Sequence, residues 1–206
     1  LLAENDRQVA IEDGTWKDSN PFDIHTYVSA LAWDEWAEFH RIPVVRVPVG
    51  FKEIAAIVRQ VEEQMREADG GEITVTAEAG QEVTLGARPK LHHAGEESGG
   101  KIGGPVKPIQ NVLGQQMIAV REKSSGEACV SAVSLAAALY LDGGAENPEA
   151  MYLHRLLAKV FQESGVKNPM EYRGDIVHYN EAIFDPAELA AAKKKGIAER
   201  VVFNAY

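Results

Sequence analysis

One stretch constrains the fold more than any other. Residues 128–141, ACVSAVSLAAALYL, carry no charge, and only Ser131 and Ser134 break the apolar run. A helix that is apolar on every side belongs in a core rather than on a surface. The run holds about 14 residues, and a bilayer span needs roughly 20. Ser124 and Glu127 have the spacing of a capping box, and Asp142-Gly143-Gly144 supplies a stop signal. The expectation is a central helix covered on most sides, with Ser131 and Ser134 bonding back to helix carbonyls.

The remaining elements are read from periodicity and from turn chemistry. Residues 8–12 read as a short strand. Asn20-Pro21 reads as the start of a helix running to about residue 40, with Ile24, Val28, Leu31, Trp36 and Phe39 in one arc and Trp33 on the other side. An off-face tryptophan marks a contact surface, which makes Trp33 a candidate partner-binding residue. Residues 42–49 read as a strand, either at a sheet edge or bulged, because Pro43 and Pro48 lack ladder donors. Phe51, Ile54, Val58, Val61 and Met65 recur at steps of three and four, the pattern of an amphipathic helix. Residues 72–85 alternate around Ala79-Gly80 as a hairpin.

Residues 88–114 are rich in glycine and read as a long loop suited to binding or assembly, with Lys101 as a candidate partner contact. Beyond it come a strand at 116–121 and a helix starting at Asn147-Pro148, with Leu153, Leu156, Leu157, Val160 and Phe161 on its inner face. A strand at 175–179, a helix from Asp185-Pro186 and a strand at 200–203 complete the chain. The expected class is α/β or α+β, a mixed sheet with helices packed around the apolar helix (128–141) and one β-hairpin (72–85). The whole of 1–206 is expected to be a single domain interrupted by the long glycine-rich loop at 88–114.

Charge and cysteine usage narrow the function. A net charge of −10 argues against nucleic acid and anionic membrane surfaces as partners. Lys193-Lys194-Lys195 fall where a helix should end and complement its dipole there. A lone cysteine rules out an internal disulfide and fits the reducing cytoplasm. The first residues show no signal-peptide pattern.

Cys129 sits near the start of the apolar helix, and His178 follows on an expected strand between Asp175 and Asn180. This order resembles papain-like and transglutaminase-like folds. The resemblance implies Cys129 as nucleophile, His178 as base, and Asp175 or Asn180 as the group that orients the imidazole. Counted from Ser124, however, Cys129 lies beyond the first helical turn, where the dipole effect has decayed, and buried cysteine behaves as a small hydrophobe. The core reading is therefore preferred. His92, His93, Glu96 and Glu97 match no metal-ligand spacing, and Gly99-Gly100-Lys101 lacks the spacing of a phosphate loop, so neither a metal nor a cofactor is expected. The leading expectation is a non-catalytic assembly or binding subunit that meets protein partners or a second copy of itself. A cysteine-nucleophile hydrolase or acyltransferase is the alternative.

Overall fold

A computed structural model describes residues 1–167 except 18, 68–69, 78–79, 97–99, 106 and 121–124. Residues 168–206 lie outside the described residues, and with them the expected strand at 175–179, the helix from Asp185 and the strand at 200–203. The class is mixed α and β, as expected. The described elements are α1 (Leu2–Glu12), β1 (Asn20–Thr26), α2 (Ala32–Phe39), β2 (Val44–Val47), α3 (Phe51–Glu67), β3 (Glu72–Thr76), β4 (Glu82–Ala87), β5 (Pro89–Gly95), β6 (Lys101–Gly103), β7 (Ile109–Gln110), β8 (Gln116–Met117), α4 (Ser125–Leu139) and α5 (Leu153–Glu163). None of the described helices is long and apolar enough to cross a membrane.

The main sheet has the order β2-β1-β5-β6. β2 and β5 each pair with β1 in parallel, and β6 pairs antiparallel with β5. β2 is an edge strand, as its flanking prolines require. β3 and β4 form the expected hairpin. Phe22, Ile24, Val45, Val47, Leu91 and Ile102 point to one face of the sheet and join the core side of α3 and the hairpin. α3 reaches that face with Ile54, Ile57, Val58 and Val61, the stripe read from its periodicity. Glu62 is buried beside them, and its carboxylate accepts from the Ile118 N–H at 2.9 Å.

Four expectations are corrected. Residues 2–12 form a helix rather than a strand, supported by Glu4 accepting from Arg7 and Gln8 one turn on. Residues 20–26 are a central strand, and the helix starts only at Ala32. Within 88–114, expected to be a loop, lies β5, which pairs on both sides. The apolar helix forms as α4, but only Leu135 is buried on it. Val130, Val133, Tyr140 and Leu141 stand out at 71%, 68%, 54% and 84% exposure. α4 rests on α1 and β6 through one narrow stripe, Ala128, Ser131, Leu135 and Leu139, and the rest of its surface is open.

Candidate functional site

The second face of the main sheet is buried and polar. Strand alternation places Asp23 and His25 opposite Phe22 and Ile24 on β1. A register shift between Phe22 and Asp23 lets β5 carry an extra residue there: Phe22 pairs with Leu91 and Asp23 with His93. This bulge turns His92 and His93, although adjacent in sequence, toward the same layer. Arg46 on β2 pairs with His25, which pairs with Gly95, which pairs with Lys101. A Cβ at Gly95 would lie 2.9 Å from Cε1 of His93, so only glycine fits beneath that ring.

α2 and the segment after α1 close over this layer with aromatic rings, and all three tryptophans of the chain take part. Trp33 stacks on His93 at 4.8 Å between centroids and meets His25 edge-on at 4.6 Å. Trp36 stacks on His92 at 6.0 Å, and Trp16 meets His92 edge-on at 5.2 Å. The Trp36 indole N–H donates to Glu4 Oε2 at 3.1 Å.

Asp23 organises the polar contacts. Its Oδ1 accepts the His93 backbone N–H at 3.0 Å and lies 2.9 Å from His92 Nδ1. His92 Nε2 lies 3.1 Å from the Ala3 carbonyl oxygen. That carbonyl can only accept, so Nε2 carries a proton. The Nδ1–Oδ1 contact needs a second proton, held by the ring or by the carboxyl. At the two sides of the layer, the cations are neutralised. Arg46 donates to the Thr26 and Ser29 carbonyls at 2.6 and 3.0 Å and pairs with Asp34. Lys101 donates to Asp6 at 2.5 Å and to Ser131 at 2.8 Å.

Asp23 Oδ2, both ring nitrogens of His25 and Nδ1 of His93 are buried without a hydrogen-bond partner among the described residues. Burial pushes the His25 pKa down to about 4, against the opposing pull of Asp23. Burial also holds His93 well below the ordinary histidine value, and His25 and Lys101 add to the shift. Both rings are neutral near neutral pH. Asp23 Oδ2 and His25 Nε2 lie 3.9 Å apart. Among the described residues no three ligating side chains converge on one point. The layer as placed is a largely buried network of polar groups and aromatic rings.

The residues singled out from sequence fall into three places. Trp33 is half-buried in the ring layer, and Lys101 is 4% exposed with its charge paired, so neither stands out as a free contact. Cys129 is exposed on α4, which corrects its expected place in the core. His178 and Asp175, with Asn180, lie outside the described residues. Sequence reasoning missed Asp23, His25 and Arg46. The alternation Phe22-Asp23-Ile24-His25 was the available signal, and it reads as a strand once polar residues are allowed on a buried face. No family model matches this chain, and neither does any curated protein or solved structure, so its chemistry is read from its geometry.

Proposed function

We propose that this protein is a non-catalytic assembly subunit, and that α4 is the surface through which it meets a second copy of itself. The observation that carries the reading is the exposure of an uncharged apolar helix. Cys129, Val133, Ala137 and Leu141 follow one another at four-residue steps, and all are exposed. Contiguous apolar surface of this kind marks an interaction site. Fully burying one valine contributes about 1.5–3 kcal/mol.

The charge pattern favours a like partner. The chain carries a net charge of −10, so two copies repel across most of their surfaces. No charge lies between Glu127 and Asp142, which leaves α4 as a neutral face on an acidic body. Alanine at 132, 136, 137 and 138 keeps the ridge low enough for two helices to approach closely. An isologous pairing uses the same ridge on both copies. We place the protein in the cytoplasm, where an exposed lone Cys129 stays a thiol.

Sedimentation of the full chain tests this. The wild type should self-associate, and Val133→Glu, at an exposed position, should weaken association by about tenfold or more with an unchanged circular dichroism spectrum. A wild type that stays monomeric up to its solubility limit would overturn the proposal.

A further inference from the structure

A cavity of about 570 Å³ lies at the opposite end of β5 from the ring layer, beside the start of β1. Small-molecule sites fall in the range of roughly 300–1,000 Å³. The cavity has two kinds of wall. Met65, Ile73 and Ile118 supply an apolar side, and Arg88 and Lys90 supply two cations. Elsewhere on this sheet the cations are used: Arg46 is paired with Asp34 and Lys101 with Asp6. Among the described residues Arg88 and Lys90 have no carboxylate within ion-pair distance. Asp13 feels the charge of Lys90 at a distance, and its Oδ1 is already engaged by the Thr15 N–H at 2.9 Å and the Thr15 hydroxyl at 2.6 Å.

The backbone around Arg88 supports its place in the cavity. Arg88 has φ +50°, a left-handed conformation that side chains other than glycine seldom adopt, and such outliers cluster at ligand sites. Its guanidinium passes over Gly70, where a Cβ would lie 3.7 Å from Nε and from Nη2. Two cations with no ion-pair partner among the described residues converge on one cavity of a strongly acidic chain and make an anion-selective site, because the surrounding surface repels anions that bind without contacts of their own. The guanidinium suits a planar, bidentate oxyanion.

We infer that this cavity binds a small organic anion whose apolar body lies on Met65, Ile73 and Ile118 and whose anionic group is held by Arg88 and Lys90. The site is separate from α4 and does not depend on self-association.

The probe is 8-anilinonaphthalene-1-sulfonate, which joins an aromatic body to one anionic group. Binding to the full chain is followed by titration calorimetry and by backbone amide shifts. Wild type should bind with shifts at Gly70, Gly71, Arg88 and Lys90. Arg88→Gln and Lys90→Gln should each weaken binding by about tenfold, the effect of one charge-assisted contact. Both positions are accessible, so each variant should keep the wild-type denaturation midpoint. Val133→Glu separates this site from the α4 surface and should leave the shifts at Arg88 and Lys90 unchanged. N-phenyl-1-naphthylamine, the neutral counterpart, should bind the cavity at least tenfold more weakly. Shifts confined to α4, or equal affinity in wild type and Arg88→Gln/Lys90→Gln, would overturn the inference.

Discussion

Asp23 shows how much one residue can hold in a buried layer. Its carboxyl group holds two groups from β5, Nδ1 of the His92 ring and the His93 backbone N–H, and it is fully buried. The contacts fix the bulge, because both partners come from the two residues that the bulge brings to one face. Asp23→Ala would remove the partner of both at once and leave buried polar groups unpaired. Breaking a buried pair from one side costs about 3–5 kcal/mol. Urea denaturation at neutral pH should read a loss of that order, and Asp23→Asn should lose less because it keeps one acceptor oxygen. A loss below about 1 kcal/mol for Asp23→Ala would mean that the layer rearranges around water.

Among the elements, legibility followed how conventionally each one buries its residues. α3 was readable because its apolar stripe faces the core and its polar side faces out, which is the assumption that periodicity makes. The hairpin was readable for the same reason, with Ile73, Val75 and Leu85 inward. β1 and β5 broke the assumption. Both of their faces are buried, one of them with Asp23, His25, His92 and His93, so alternating polarity no longer separates inside from outside. α4 broke it in the other direction, with an apolar surface left outside. Gly95, Gly103 and Gly104, read as loop signals, are crowded by the His93 ring, the Glu127 carboxylate and the β5 backbone respectively. Gly104 is the tightest case: a Cβ would lie 1.8 Å from the Leu91 carbonyl oxygen. That oxygen belongs to the central strand β5 and cannot swing away. Gly104→Ala should therefore push the chain after β6 off β5, costing about 1–3 kcal/mol, read as a lower denaturation midpoint. At Gly80 nothing lies within 4 Å of such a Cβ, so Gly80→Ala meets only the strain of φ +79° and serves as the control.

For the whole molecule, the ring layer makes folding sensitive to mild acid. His25, His93 and His40 all have folded values below the ordinary one, burial being the first cause in each. An unfolded chain binds protons on these rings below about pH 6.5, while the folded chain keeps His25 neutral down to about pH 4. The unfolded state then holds more protons across that interval, so stability rises with pH there and is lost as pH falls. Above about 6.5 the contribution is complete. His25 is 1% exposed, so solvent screens little of the effect, and its shift alone amounts to a loss on the order of 3 kcal/mol between the two limits. Glu4 extends the trend below its ordinary value: burial raises its pKa, but hydrogen bonds from Arg7 and Gln8 outweigh that and lower it, so protonation costs stability there too. Urea denaturation at steps from pH 7 to pH 4.5 should show a steady fall. His25→Phe removes two nitrogens that have no hydrogen-bond partner among the described residues and keeps an aromatic ring against Trp33. It should be at least as stable as wild type at pH 7, and its stability should fall less steeply toward pH 4.5. Equal slopes in the two proteins would show that the acid sensitivity arises outside this ring.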